Sequence, residues 1–422
     1  MLGGNRLWRH SDFLKLWAGQ TISVVGSQVT VLALPTIAIL QLHATPAQVG
    51  LLAALQHIAF PILALFAGVF ADRLRRRPMM IVADALRALA VLSVALVAAH
   101  GALTMLQLYA VALVLGVGTV IFDIAYLAYV PSLVSRSDLL EANTKLEVSY
   151  SSSSLVGPSL GGLLIQLIGA AQAMVADAFS FVVSVISIIW IRQPEPPPRH
   201  EATPRAGVFA EIREGLRLVL NNPILRGLVV MLTVGGLGFH LQDPALFLFA
   251  YRDVHLSPAM FGLVFAAGGA GAIVGAMAVG AVVRKMGVGN SLALTNALLG
   301  MAFLAWPLAL LGAPLLILGT LMFVAGIADS IYNVSQVSLR QAVTPDRLQG
   351  RMTATMRTMF WGVRPIANLA GGLLAGAVGA PATIVIGSLI GMTATVLVLA
   401  GPLGRVRQHS DVGLEAGEAP RT

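Results

Sequence analysis

The chain contains no cysteine. Disulfide staples, thiolate metal sites and a cysteine nucleophile are therefore excluded. Charge is almost as scarce: 27 basic and 19 acidic residues make up 11% of 422 positions, against about 25% in soluble proteins. A water-soluble domain of this size cannot cover its surface with so few charges, and the 57% hydrophobic content and mean hydropathy of +0.84 place the chain in a bilayer. No Gly-x-x-x-x-Gly-Lys phosphate loop occurs, so an internal ATPase motor is unsupported. The segments of about ten alternating residues that an outer-membrane barrel needs are missing as well.

What is present is a series of long charge-free stretches. Asp, Glu, Lys and Arg are all absent from 16–71, 88–122, 254–283, 286–328 and 365–404. A helix needs about 20 apolar residues to cross roughly 30 Å of hydrocarbon, so each of the longest stretches holds two crossings. Turn signals from Pro, Gly and polar clusters predict twelve helices, near 14–40, 47–71, 79–99, 105–130, 143–167, 171–191, 224–249, 258–282, 290–311, 314–338, 353–377 and 380–401. The first run is too long and lacks a small-residue cleavage pattern, so it reads as a retained helix and not as a signal peptide.

The basic residues sort to one side of these crossings. Arg6, Arg9 and Lys15 precede the first, and Arg73, Arg75, Arg76 and Arg77 fill the second connection; others follow in the fourth, sixth, eighth and tenth connections and in the tail. Arg252 alone falls in a connection on the opposite side. This inside-positive bias predicts both termini in the cytoplasm, and it accounts for the net charge of +8 without a nucleic-acid partner. The widest connection opens on a stiff Pro-rich stretch and then sets Val208, Phe209, Ile212, Leu216, Val219 and Leu220 against Glu211, Arg213, Glu214 and Arg217, which predicts an amphipathic helix at the inner membrane surface. The chain thus divides into a six-helix half (1–191), a cytoplasmic linker (192–223), a second six-helix half (224–403) and a cytoplasmic tail (404–422). An internal repeat supports the division: Asp123-Ile-Ala-Tyr126 is echoed by Asp329-Ser-Ile-Tyr332, and Gly161-Gly162-Leu-Leu by Gly371-Gly372-Leu-Leu.

The second connection, Gly68-Val-Phe-Ala-Asp72-Arg73-Leu-Arg75-Arg76-Arg77, resembles the Gly-x-x-x-Asp-Arg-x-Gly-Arg-Arg signature of the major facilitator superfamily, with Arg75 where the signature has glycine. Gly280-Ala-Val-Val-Arg284-Lys285 is a degenerate second copy. Gly157-Pro158-Ser-Leu-Gly161-Gly162 resembles the Gly-Pro-x-x-Gly-Gly element of drug and proton antiporters. With the Asp84-Ala-Leu-Arg87 and Asp177-Ala-Phe-Ser-Phe stretches, the chain is similar to the bacterial exporter branch of macrolide efflux proteins and enterobactin exporters. The resemblance implies an all-α membrane fold of twelve transmembrane helices in two six-helix halves. It implies a multi-pass protein of the bacterial plasma (inner) membrane, not an enzyme and without a cofactor. The implied activity is export of drug-like or amphiphilic small molecules by alternating access in exchange for protons. A lipid or lysophospholipid translocator and a siderophore exporter remain open as alternatives. The expected partners are the small molecule, the proton and the bilayer, and since one chain supplies both halves a monomer suffices.

In the resembling family the second connection acts as an inner-side latch, which assigns a gating role to Gly68, Asp72, Arg73, Arg76 and Arg77. Gly157, Pro158, Gly161 and Gly162 permit bending and close packing, as a gate or as a purely structural kink. Asp123 and Asp329, with Tyr126 and Tyr332 beside them, are candidates for proton coupling or substrate binding, since a carboxylate within a membrane helix is expensive unless it serves a polar pocket; a buried helix–helix hydrogen bond is the plainer reading. His240 and Asp243, followed by Pro244 toward the outer half of the seventh helix, are further candidates for proton coupling or substrate binding, where they could line the exit or take part in an outer gate. Two donors without a third do not make a metal site. Asp84 and Arg87 share a helix face and can neutralise one another. Asp177 and Arg364 either pair across helices or face an aqueous cavity.

Overall fold

The computed structural model describes residues 7–63, 74–195, 208–345 and 348–406. All regular elements among them are helices. Helix α1 (Ser11–Thr36) runs into a π-turn at Ile37–Gln41, and α2 (Pro46–His57) is resumed by a short turn at Ala59–Leu63. There follow α3 (Arg76–Ala99), α4 (Met105–Leu133), α5 (Leu139–Ile168) and α6 (Ala170–Ile189). The linker contributes α7 (Val208–Asn221). Then come α8 (Pro223–Leu248), α9 (Pro258–Met286), α10 (Val288–Leu304), α11 (Pro314–Ala342), α12 (Gln349–Gly362), α13 (Arg364–Val378) and α14 (Ala380–Ala400).

Among the described residues, 11 helices are long and apolar enough to cross a membrane. The protein is an all-α, multi-pass membrane protein. The crossing expected as one helix over 353–377 is instead two, α12 and α13, broken at Val363. Pro365 explains the break, because its ring removes a backbone donor in the first turn of α13 and cannot continue α12. Leu106, Leu167 and Leu316 stand exposed on the helix surfaces, as side chains that meet lipid do.

One local construction occurs twice. The π-turn Ile37–Gln41 after α1 leads to His43 in the left-handed region (φ 50°) and then to α2, which opens on Pro46. After α8 the π-turn Phe249–Asp253 leads to His255 (φ 54°) and to α9, which opens on Pro258. Later, Gly169 (φ 88°) joins α5 to α6 as Gly379 (φ 86°) joins α13 to α14. The duplication seen in the sequence is thus present in backbone conformation.

The chain forms two compact units, residues 1–203 with 256–266 and residues 204–255 with 267–422. In the first, α6 packs along α1 and α3, and α4 along α2 and α3, around Phe13, Leu16, Met80, Phe122 and Tyr129. In the second, α14 packs along α8 and α10, around Leu225, Leu228, Met231, Leu292 and Met352. The linker helix belongs to the second unit. Val219 of α7 is buried in that core and Leu218 packs against it, so the helix docks on protein instead of only lying on a membrane surface. Glu214 of α7 pairs with Arg351 of α12, but both are more than a third exposed and the pair contributes about 1 kcal/mol at most.

Candidate functional site

The two carboxylates at matched positions behave alike. Asp123 of α4 and Asp329 of α11 are both exposed on their helices. The tyrosine three residues after each turns inward. Tyr126 stacks on Phe122, with ring centroids 5.8 Å apart, and packs on the first core, while Tyr332 packs on the second. Each helix therefore holds a carboxylate in an accessible position beside an anchored aromatic ring.

In the second unit the structure brings three polar side chains together. The ring Nδ1 of His240 lies 3.0 Å from Oδ2 of Asp243, one turn along α8, and Arg364 at the start of α13 lies 3.6 Å from the same oxygen. His240 is buried, stacked at 6.3 Å on Trp361 and 5.7 Å from Phe360, and its Nε2 makes no hydrogen bond. Arg364 lies 5.2 Å from the Trp361 ring centre. The break at Val363 is what swings Arg364 and Trp361 to the same place. Gln242 faces away, accepting from Ser388 of α14 at 3.2 Å. Among the described residues no three His, Cys, Asp or Glu side chains gather as metal ligands.

The charges of α3 and α6 also find partners. Asp84 and Arg87 form a buried ion pair on α3, and Asp177 of α6 accepts hydrogen bonds from α1. Neither Arg364 nor Asp177 could be placed from sequence, because their partners lie on helices far away along the chain.

Gly157, Pro158, Gly161 and Gly162 seat α5 against two neighbours. A Cβ on Gly157 would fall 2.6 Å from Cβ of Gln28, and one on Gly161 3.1 Å from Cα of Val29, both on α1. Gly162 faces the start of α9, where a Cβ would fall 2.5 Å from the carbonyl of Pro258 and 3.0 Å from Cα of Gly262. Gln28 is flexible and can yield; the α9 backbone cannot. Gly162→Leu is therefore expected to cost more than Gly157→Leu, beyond the usual 1–3 kcal/mol of overpacking. Purified yield and transport per folded molecule, measured for both, check the order.

Of the latch residues, Gly68, Asp72 and Arg73 lie outside the described residues. Arg76 and Arg77 begin α3, and their backbone N–H groups donate to the Glu195 carboxylate at 2.6 and 3.2 Å, while the Arg77 guanidinium donates to the carbonyl of Ile189 at 2.6 Å. Glu195 thus caps α3 from beyond the end of α6, a role no local pattern could reveal. Asp12 does the same for the segment after α6, accepting from the backbone N–H of Gln193 at 2.8 Å and Arg192 at 3.2 Å. Glu195→Ala should lower thermal stability by about 1 kcal/mol through the lost cap, whereas Glu195→Gln, which keeps an acceptor, should lose less. Equal losses in an unfolding assay would show that the cap is not what Glu195 provides.

The Major Facilitator Superfamily profile matches residues 16–367 and 236–420. The multidrug efflux pump Tap of Mycolicibacterium fortuitum is 27% identical over 375 residues, covering 86% of this chain and 89% of that protein. The enterobactin exporter EntS of Citrobacter koseri is 26% identical over 427 residues, covering 98% and 97%. Among solved structures, a bacterial homologue of the iron transporter ferroportin in an inward-facing state superposes with a TM-score of 0.74 at 16% identity, over 92% of this chain and 98% of that one. At that identity the likeness speaks for the fold alone.

Proposed function

Because the chain belongs to the Major Facilitator Superfamily, and is therefore a secondary active transporter working by alternating access, we propose that it exports amphiphilic, drug-like small molecules in exchange for protons. The observation that carries this reading is similarity over most of the chain to proteins named for multidrug efflux. The scarcity of charge in the membrane segments supports it, since a mainly apolar path suits amphiphilic cargo. A second reading, export of a siderophore, is favoured by the match to enterobactin exporters across 98% of the chain.

In this proposal twelve crossings form two six-helix halves of a bacterial plasma-membrane protein with both termini in the cytoplasm, the interrupted α12–α13 pair making one crossing. Asp123 and Asp329 carry the coupling proton or attract a cationic substrate, His240 and Asp243 line the outer part of the path, and the connection from Gly68 to Arg77 latches the inner side. Inward movement of one proton across 100 mV supplies about 2.3 kcal/mol, enough to drive a gradient of cargo. The test is flux in liposomes with an imposed pH gradient and a panel of macrolides, dyes and siderophores. Substrate-stimulated proton movement supports the antiporter. Movement of labelled lysolipid without dependence on the gradient would replace it with a lipid translocator, and binding without movement would overturn transport of that panel altogether.

A further inference from the structure

The first unit contains a charged cluster that the export reading does not use. Asp84 and Arg87 of α3 and Asp177 of α6 are 0%, 6% and 0% exposed. Arg87 is ion-paired with Asp84, and its guanidinium lies 4.7 Å from the ring centre of Phe122 on α4 and 4.5 Å from that of Phe181 on α6. Phe181 is one turn along α6 from Asp177, so the same positive charge acts on Asp177. Asp177 accepts hydrogen bonds from Thr30, from Ser27 at 3.4 Å and from Ser180 at 3.0 Å. Two glycines hold the space open. A Cβ on Gly118 of α4 would fall 2.8 Å from Cγ of Arg87, and one on Gly26 of α1 would fall 2.9 Å from Oδ1 of Asp177.

The charges in this cluster do not balance: two carboxylates face one guanidinium. Among the described residues the neighbouring helices place no second cation at this cluster, and Arg77, two turns before Asp84 on α3, is engaged with the carbonyl of Ile189 at 2.6 Å. At this level α1 offers hydroxyls, and its Asp12 and Lys15 lie about 20 Å away along the helix. From α4 come Thr119, 3.4 Å from Arg87, and beyond it Asp123, which is exposed, and Tyr126. The charged residues of α5 (Glu141, Lys145 and Glu147) are confined to its first turns, and His57 of α2 turns its ring to the carbonyl of its own Ala53 at 2.8 Å. An unbalanced charge inside a membrane protein costs several kcal/mol. Apart from Arg87, the one polar side chain that acts on the Asp84 carboxyl is the buried Ser184 of α6, and Oδ2 of Asp84 has no close hydrogen-bond partner, a poor position for a full negative charge and a suitable one for a hydroxyl.

We propose that Asp84, Arg87 and Asp177 form a proton-binding site in which two carboxylates facing one guanidinium share a single bound proton. Binding adds H⁺ to one carboxylate oxygen and takes the cluster from a net negative charge to neutrality. Arg87 is the group that acts on both carboxylates, so neutralising either one leaves the other balanced by the guanidinium. The site is distinct from Asp123 and Asp329, so it stands whether or not export is coupled to protons.

Infrared difference spectroscopy of the purified full chain in lipid discs, at neutral pH and with deuterium exchange, tests this through the carbonyl stretch of a protonated carboxyl. Wild type minus Asp177→Asn should show loss of one such band, because Asp84 and Arg87 then balance. Asp84→Asn should lose the same band. The double variant Asp84→Asn with Arg87→Gln removes the ion pair as a neutral unit and leaves Asp177 alone, so it should retain the band. Asp123→Asn and Asp329→Asn should leave this cluster's band in place. The band's persistence in a folded Asp177→Asn protein, or its absence from the folded double variant, would overturn the proposal. If one single variant does not assemble, the other single variant and the double variant still decide the matter in opposite directions.

Discussion

Replacing Arg87 with methionine is expected to destabilise the protein by about 3–5 kcal/mol, the usual cost of stripping one partner from a buried ion pair. The side chains of Arg87 and Asp84 are 8% and 0% exposed, so water cannot replace the lost partner. The guanidinium also leaves two aromatic faces, at 4.7 and 4.5 Å, where each contact contributes about 0.5–1 kcal/mol or more. Methionine retains most of the volume, which separates lost charge from a lost space-filling group. Thermal unfolding in detergent should show the drop, and adding Asp84→Asn to the methionine variant should recover most of it, since the carboxylate paired directly with Arg87 is then gone as well. Such a recovery is the coupling that a double-mutant cycle reads. An additive double variant would mean that the two side chains do not depend on one another.

Asp123→Asn and Asp329→Asn are expected to produce the largest changes in transport with small changes in fold. Both side chains are exposed on their helices, so asparagine should fit each without repacking. Asparagine keeps similar size and hydrogen-bonding capacity but cannot titrate. If Asp123 carries the coupling proton, Asp123→Asn abolishes accumulation driven by a pH gradient and leaves exchange at equal concentrations measurable. If Asp329 attracts a cation, Asp329→Asn weakens transport of cationic cargo by about tenfold, the effect of losing roughly 1.4 kcal/mol of attraction, and spares neutral cargo. Wild-type accumulation and stoichiometry in both variants would remove these residues from the coupling proposal. Tyr126 and Tyr332 are packed on their cores, and phenylalanine at either position should be tolerated in fold, with any loss confined to transport.

Much of the architecture is legible in where charge is missing, because hydrocarbon admits helices and rejects unpaired polar groups. The spans of α1, α2, α9 and α10 lie largely within the charge-free stretches, whereas α5, α6 and α8 lie outside them and are marked by turn signals and apolar content instead. The division at Val363 did not stand out, since a proline inside an apolar run is common in membrane helices and does not by itself say whether the helix bends or stops. The local pair Asp84 with Arg87 is readable from its spacing of three on one face, and His240 with Asp243 has the same spacing although the sequence suggests only that both lie toward the outer half of their helix. Arg364, Asp177 and Glu195 are not readable, because their partners are set by tertiary packing over 100 or more intervening residues. The paired left-handed positions at 43 and 255 carry no sequence mark either. Glycine or asparagine normally marks such a backbone, and here both are histidine.

Those two histidines bear on how the protein is made. Each closes a corner of only a few residues: after the first, the N–H of Ala44 donates to the carbonyl of Ala38 at 2.8 Å, and Thr45 and Gln48 cap the next helix reciprocally. The second corner ends with Ser257 capping its helix through the backbone of Met260 at 3.3 Å. These corner hydrogen bonds are all local. Each can therefore form as soon as a few dozen residues have left the ribosome, committing the two flanking segments to enter the bilayer together as one antiparallel loop. A nascent chain halted soon after α2, or soon after α9, should already be anchored by two crossings and protected from protease over both of them.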